Sequence, residues 1–448
     1  FAATYLGGEN TDYDVVKHDG GNVVQGTGSN YSRLIRDLDK NLQNQVNYKT
    51  AAAAIDLRDF ARYMIVNYFA GNDDWDRHNW YASFKHVEPT GKWRFHSWDA
   101  EHVLKDLARD STSTQNPGKP TGFQHRLATS PDYRLLFADE VHRLMANGGP
   151  LTPENSVAQY NRRIAIIDRA IRAESARWGD NKRPGNPYLR GEEWLDELEN
   201  LRTQYFPNRT SRVIDQFRAR GWYPETEPPS FAIDGLAMHG GFVSAGAQLS
   251  IQGAGDPLYF TTDGSDPREA WTSEVAGSTY SAPQALSASA HVKARARSSG
   301  GEWSALSEAL FVVGEPAAPG NTIISEIMFN PDGPDSEGEF LELTNTGSFT
   351  IDLGGARFTR GIDIIFDPGT LLDPGESLVI ARVGNSVAAA KAAYSGALDN
   401  GGDRLTLKAA DGSIIVDFAY GDDADWPDMT DGGGYSLELV SPNDPSAD

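Results

Sequence analysis

The feature that most limits how this 448-residue chain can fold is a change of texture at Tyr223-Pro224-Glu225-Thr226-Glu227-Pro228-Pro229. Before it, apolar residues recur at steps of three and four. After it, short apolar runs are punctuated by Gly, Asp, Ser and Pro. A helix repeats its buried face about every 3.6 residues and a strand every 2, so one core cannot serve both patterns. At this length one continuous core is not expected in any case, and about three domains of ordinary size are.

The helical part opens with Asp56, which precedes Leu57, Phe60, Ala61, Met64, Ile65 and Tyr68. This predicts an N-capped amphipathic helix ending near Gly71. Trp80-Tyr81-Ala82-Ser83-Phe84 and Trp93-Arg94-Phe95-His96-Ser97-Trp98 alternate in aromatic residues across Glu88-Pro89-Thr90-Gly91, the pattern of a β-hairpin. Further on, Tyr133, Leu136, Phe137, Val141, Leu144 and Met145 mark a helix that stops at Asn147-Gly148-Gly149-Pro150. Thr152-Pro153-Glu154 starts a second, carrying Tyr160, Ile164, Ile167 and Ile171. Trp194, Leu195, Leu198 and Leu201 mark a third, and Val213, Ile214 and Phe217 a fourth. The arginines at 162, 163, 169, 172 and 177 form either a solvated helix face or a surface for phosphates or an acidic partner.

Between the first helix and the hairpin lies Gly71-Asn72-Asp73-Asp74-Trp75-Asp76-Arg77-His78-Asn79, and the hairpin ends at Trp98-Asp99. Asp74 and Asn79 are five residues apart, the interval between base and first metal ligand in a kinase catalytic loop, and Asp99 follows 25 residues after Asp74. The residue types suit phosphoryl transfer. A carboxylate takes the proton of the attacking hydroxyl, while an amide oxygen and a second carboxylate hold Mg2+ against nucleotide phosphates. Paired strands, about 5 Å apart, bring Asp99 back toward Asn79. The same residue types also cap helices and turns, so the loop is open to a purely structural reading. An EF-hand is not matched, because the sharp-turn Gly and the closing Glu are missing. Trp80 and Trp98 read as core or hairpin anchors.

Composition narrows the remaining classes. Sixty-three acidic against 40 basic residues give a net charge of -23, which repels nucleic-acid phosphates and anionic membranes. No cysteine is present, which removes disulfides, thiolate zinc sites and a Cys nucleophile. No stretch approaches the roughly 20 apolar residues of a membrane helix. His78, His96, His102, His125 and His142 are dispersed without ligand spacing, and neither a Gly-x-Ser-x-Gly elbow nor a His-Glu-x-x-His motif occurs.

Several ordered blocks resemble the spore coat protein H (CotH) kinase-like family: Tyr5-Leu6-Gly7-Gly8, Asp12-Tyr13-Asp14-Val15-Val16-Lys17, Asn72 to Tyr81, and Lys92-Trp93-Arg94-Phe95-His96-Ser97-Trp98-Asp99-Ala100-Glu101. The resemblance implies an atypical kinase that uses ATP with Mg2+ or Mn2+ to phosphorylate Ser or Thr of secreted or surface proteins. Carried over by position, Asp74 matches the catalytic aspartate, and Asn79 and Asp99 match the metal-binding pair. Asp73 and Asp76 receive no role. Asp76 stands where many relatives carry proline, and Ala100-Glu101 replaces the Phe-Gly pair of protein kinases. The chain opens at Phe1, and the strand-rich half that precedes the matching segment in the family, with its nucleotide-holding residues, is expected to be missing.

Beyond the break, Leu258-Tyr259-Phe260-Thr261-Thr262-Asp263-Gly264-Ser265-Asp266-Pro267-Arg268 resembles the chitobiase C-terminal, fibronectin-III-associated type of Ig-like module. Tyr259 to Thr261 reads as a strand, His291 to Ala296 as its partner, and Asp263 and Asp266 as turn formers. After the linker Gly314-Glu315-Pro316-Ala317-Ala318-Pro319-Gly320, four segments look like a lamin-tail domain: Ile323 to Pro331, Glu339 to Gly347, Leu353-Gly354-Gly355, and Leu372-Asp373-Pro374-Gly375-Glu376. Phe340 and Glu342 should share one strand face, Leu341 and Leu343 the other. Glu326, Glu337, Glu339 and Glu342 form either a cation site or a solvated strand face.

The expected architecture is therefore multidomain α+β: a helix-rich atypical kinase-like domain over residues 1–224, then two Ig-like β-sandwich domains over 229–314 and 320–442. Two functions from different classes fit it. One is a secreted or surface kinase-like enzyme acting on protein Ser or Thr, with sandwiches that meet cell-surface or polysaccharide partners. The other is a non-catalytic adhesion or structural protein that binds partners without turnover.

Overall fold

A computed structural model of the protein describes residues 2–6, 9–88, 90–181, 183–384, 387–423 and 426–439. The chain forms two compact units. One comprises Phe1–Ser230, Ile251–Ser281 and Lys293–Glu308; the other comprises Phe231–Ser250, Ala282–Val292 and Ala309–Asp448.

In the first unit the Leu57–Ala70 helix is the central element. Asp56 caps it by accepting the Asp59 backbone N–H at 3.1 Å, and Gly71 ends it in the left-handed region at φ 61°. Nine of its 14 residues are buried, including Asn67, so the helix is covered around most of its circumference and is not amphipathic in the simple sense. Its partner is a four-stranded antiparallel sheet in the order Asp19–Gln25, Tyr13–Lys17, Trp80–Lys85, Arg94–Ser97. The predicted hairpin is present, with Trp80 opposite Ser97 and Ala82 opposite Phe95. Alternation along Trp80–Lys85 buries Trp80, Ala82 and Phe84 in the helical core and turns Tyr81, Ser83 and Lys85 to the other face. The hairpin is tied to the start of the helix, since Trp93 N donates to Ala54 O at 2.9 Å and Asp56 N to Trp93 O at 3.1 Å.

The helices Pro131–Met145 and Pro153–Trp178 form where the apolar periodicity places them. The third and fourth helices are not separate. Residues 190–219 run as one helical stretch that passes through two π-type turns, where Leu195 N reaches Arg190 O and Phe206 N reaches Leu201 O, each five residues back. The second of these lies directly before Pro207, whose ring and missing N–H would break a regular helix; the wider turn lets the chain continue.

The first unit also contains strand Leu258–Thr261, paired antiparallel with Ser278–Thr279 and with residues 293–296. Arg295, 1% exposed, donates to both Asp139 oxygens at 2.7 Å, to Asp266 at 2.8 and 2.7 Å, and to Ser304 O at 2.9 Å. Asp139 also accepts the Leu306 N–H. Burial pushes the Asp139 carboxyl up, and the guanidinium pulls it back. Nearby, Asp132 accepts from Arg268 and from Trp271 N, and Trp271 lies edge-on to Tyr48 at 5.1 Å. Asp263 accepts from Ser265, the turn role expected for it.

In the second unit, Gln284–Leu286 pairs with residues 247–249, and Gly241–Val243 runs parallel to residues 311–313. Its larger part is a six-stranded sheet in the order Ile362–Asp363, Ala392–Gly396, Ser377–Arg382, Phe340–Asn345, Thr322–Met328, Leu437–Glu438. A three-stranded sheet, Arg357–Arg360, Gly402–Lys408, Ile414–Gly421, accompanies it. The expected split along Phe340–Asn345 holds, with Leu341 and Leu343 fully buried. The glutamates do not act as one cluster. Glu339 is fully buried and accepts from Tyr394 Oη at 2.8 Å, from Arg382 at 3.1 Å and from the Leu398 N–H, which makes it a core hydrogen-bonding group.

Replacing Arg295 by Met should lower stability by about 3–5 kcal/mol, because Asp139 is left buried without its counter-charge. The double substitution Arg295→Met, Asp139→Leu should recover most of that loss, read as urea midpoints of the four proteins in a double-mutant cycle.

Candidate functional site

The end of the Leu57–Ala70 helix is held by a residue distant in sequence. Arg209, fully buried, donates to Tyr68 O at 2.5 Å, Phe69 O at 2.8 Å, Leu107 O at 2.7 Å and Arg109 O at 3.0 Å, and Tyr205 Oη also reaches Phe69 O at 3.0 Å. A cation at this end also complements the helix dipole. Burial pulls the guanidinium below its ordinary pKa, against the opposing pull of Tyr205, Asp106 and Asp110.

The loop that leaves this end is pinned residue by residue. Asn72 donates to Asn67 Oδ1 at 3.0 Å, and Asn67 in turn to Ser97 Oγ at 3.2 Å, which links loop and hairpin. Asp73 pairs with Arg109 at 2.9 Å. Trp75 Nε1 donates to Tyr63 Oη at 2.6 Å. Asp76 is 1% exposed and accepts from Thr121 N at 2.8 Å, Thr121 Oγ1 at 2.5 Å and Asn116 Nδ2, while its carbonyl accepts from Trp80 Nε1 at 3.0 Å. Burial pushes its carboxyl up and these bonds draw it down. Asp76 is therefore a structural pin of the loop, a role its place in the sequence did not reveal.

Asp74 is treated differently. It is half-buried, with one oxygen on His78 Nε2 and the other accepting from Asn79 Nδ2 at 3.0 Å. Asn79 Nδ2 also lies 3.4 Å from the Asp99 carbonyl, and Trp98 N donates to Asn79 O at 3.1 Å. The three predicted residues thus meet: Asp74 and Asn79 through side chains, Asp99 through its backbone. Asp76, Asn79 and Asp99 have φ of 78°, 61° and 51°. This left-handed conformation is sparsely populated outside glycine, though Asn and Asp enter it more readily than other residues. Holding three such residues in one site requires the surrounding contacts to over-determine them.

The Asp99 carboxyl is exposed and its pKa is raised, first by a hydrogen bond and like charge from Glu101 and then by Asp74. Asp74, Glu101 and His102 each place one ligand atom within 4.8 Å of the others. His102 Nε2 is 3.3 Å from Glu101 Oε1, and its Nδ1 meets Lys105 Nζ. Glu101 and His102 escaped sequence reasoning. Histidine dispersion hid His102 because its partner ligand lies across the loop, and the only local signal was the Asp99-x-Glu101 spacing.

On the outer sheet face, Val15, Val24, Tyr81, His96 and Trp98 line a hollow of about 340 Å3. Trp98, 56% exposed, stands edge-on to Tyr81 at 5.5 Å, so it forms a wall of this hollow, whereas Trp80 is a core anchor as expected. Lys17 Nζ lies 5.2 Å from the Tyr81 ring centre. His96 Nε2 meets Ser83 Oγ at 2.8 Å, and burial, with Arg94 adding to it, lowers its pKa to about 4.

Residues 2–212 match the family model described as CotH kinase protein, residues 248–310 the model Fn3 associated, and residues 315–422 the model Lamin Tail Domain. No curated protein matches the chain. Among solved structures, one described as "Structures of Clostridium thermocellum CbhA fibronectin(III)-like modules" is similar at 13% identity over 42% of this chain and 90% of that chain. Its TM-score is 0.13, too low to carry any argument about this protein. Kinase-like, Fn3-associated and lamin-tail segments thus follow one another in that order in a helix-rich region followed by sheets. No described helix is long and apolar enough to cross a membrane.

Two measurements check this site. Arg209→Met should take one donor from each of four carbonyls and lower the unfolding midpoint, with loss of amide-exchange protection concentrated at Phe69–Asn72. His96 is depressed below its ordinary value of 6.5, so the unfolded chain takes up its proton first as pH falls. Its share of stability should therefore be lost between pH 6.5 and about 4, and His96→Asn should flatten that limb of the urea-midpoint profile.

Proposed function

We propose that the CotH kinase segment transfers the γ-phosphoryl group of ATP to Ser or Thr of an acceptor protein, with Asp74 as the base and Asn79 and Asp99 at the metal. What carries this reading is the meeting of Asp74, Asn79 and Asp99, with Asp74, Glu101 and His102 offering three ligand atoms within 4.8 Å.

The donor set suits a divalent cation. Carboxylate oxygens suit Mg2+ or Mn2+, the imidazole favours the softer Mn2+, and a cation there would offset the like charges that Glu101 and Asp74 place around the Asp99 carboxyl. Glu101 and His102 would hold it, with Asp99 and the Asn79 amide oxygen completing the set, and Asp74 beside them is kept as the base. A cation bound there would neutralise charge on the nucleotide phosphates. The chain's own groups do the rest. Asn79 Nδ2 and His78 Nε2 orient the Asp74 carboxylate, leaving it to accept the acceptor hydroxyl's proton. The aromatic faces of Tyr81 and Trp98, with Val15 and Val24, offer a purine an apolar hollow next to Asp99 in the chain. The acceptor is read as a secreted or cell-surface protein, and the lamin-tail and Fn3-associated modules as units for cell-surface or polysaccharide partners.

The test is metal-dependent transfer of labelled phosphate from ATP to a Ser/Thr protein by the full chain. Asp74→Ala should cut turnover by about 10²–10⁴-fold with nucleotide binding largely kept, since a base acts on the hydroxyl and not on the cation. Asp99→Ala and Glu101→Ala should instead raise the Mn2+ concentration needed for half-maximal nucleotide binding. Transfer that survives Asp74→Ala, or nucleotide binding indifferent to both metal-side changes, would reject the assignment.

A further inference from the structure

The Pro153–Trp178 helix, the longest among the described residues, buries only Ser156. Arg162, Arg163, Arg169 and Arg172 along it are exposed and have no ion-pair or hydrogen-bond partner among the described residues, although the chain as a whole carries an excess of 23 negative charges. The helix's own Asp168 is taken by Arg190 at 2.6 Å. Positions 162, 166, 169 and 173 recur on one face, so Ile166, 71% exposed, stands between Arg162 and Arg169. A solvated face accounts for the arginines but not for the isoleucine among them.

Beside this stripe the helix faces a shallow groove of about 480 Å3 with Phe69, Leu151 and Phe206 in its wall and Arg162, Arg163 and Ile166 along it. Ser156 lines the same groove. It is 6% exposed, and its Oγ is covered by the protein and has no hydrogen-bond partner among the described residues.

We propose that this groove docks an acidic protein segment bearing an apolar anchor residue. The anchor packs on Leu151 and Ile166, and the flanking Asp or Glu side chains pair with Arg162 and Arg163. Arginine's planar fork favours carboxylates in this bidentate way. A second copy of the chain is the weaker occupant, because nothing in the groove selects one segment of it. The inference does not depend on phosphoryl transfer.

The experiment is fluorescence anisotropy of the full chain with three short labelled peptides: one rich in Asp and Glu around a Leu-Phe pair, one with that pair changed to Ser, and one with the acids changed to Lys. The first should bind, more weakly as salt is raised, and the other two should bind at least about tenfold more weakly. Arg162→Glu with Arg163→Glu, and separately Ile166→Asp, should each weaken the first peptide by about tenfold or more with the thermal midpoint unchanged, since all three side chains are exposed. Equal binding of the Lys peptide would overturn the proposal without any variant. So would single-stranded DNA that binds as tightly and ignores Ile166→Asp, the mark of a plain polyanion patch. So would a dimer that the Arg162→Glu, Arg163→Glu chain loses, which would assign the face to self-association.

Discussion

Everything around the candidate site depends on how the Leu57–Ala70 helix ends. The last carbonyls of a helix have no partner within it, and inside a protein they cannot be left to water. Here Arg209 and Tyr205 supply the donors from more than a hundred residues downstream, and Arg209 extends the same guanidinium to Leu107 O and Arg109 O. One side chain therefore fixes both the helix end and the segment that follows the hairpin. Asp74 on one side and Asp99 to His102 on the other are joined more directly, by the backbone bonds Asp73 N to His102 O and Trp98 N to Asn79 O.

Within the loop, two carboxylates two residues apart meet opposite fates. Asp76 is sunk among Thr121, Asn116 and Trp80 and is fully used as an acceptor. Asp74 stays half-buried, held by only His78 and Asn79, and faces the exposed acidic pair Asp99 and Glu101. The buried one supplies rigidity; the other keeps the lone pairs that the proposed transfer would use. Left-handed backbone at Asp76, Asn79 and Asp99 is the local cost of this arrangement, tolerable because each of these residues is bonded to its surroundings.

Arg295 gives the Fn3-associated segment a role beyond spacing. Its guanidinium is satisfied on all sides by Asp139, Asp266 and Ser304, so a strand of that segment and a helix of the kinase-like region share one buried charge network in a single compact unit. Buried ion pairs contribute little net stability against apolar alternatives, but breaking one is expensive. In the second unit Glu339 plays the comparable part among Arg382, Tyr394 and Leu398.

By itself the sequence determined the elements with short-range causes. Asp56 and Gly71 bounded the central helix, aromatic alternation set the hairpin, and paired turn residues after Pro229 announced sheets, because capping and period are properties of neighbours in the chain. That Asp74, Asn79 and Asp99 lie near one another was legible for the same reason, since a hairpin returns its end to its start. Tertiary structure alone decided that Asp76 is a pin, that Glu101 and His102 face Asp74, that Arg209 holds the helix end and that residues 190–219 stay continuous through Pro207. Each of these rests on which distant group arrives to satisfy a buried donor, acceptor or charge, and no local pattern encodes that arrival.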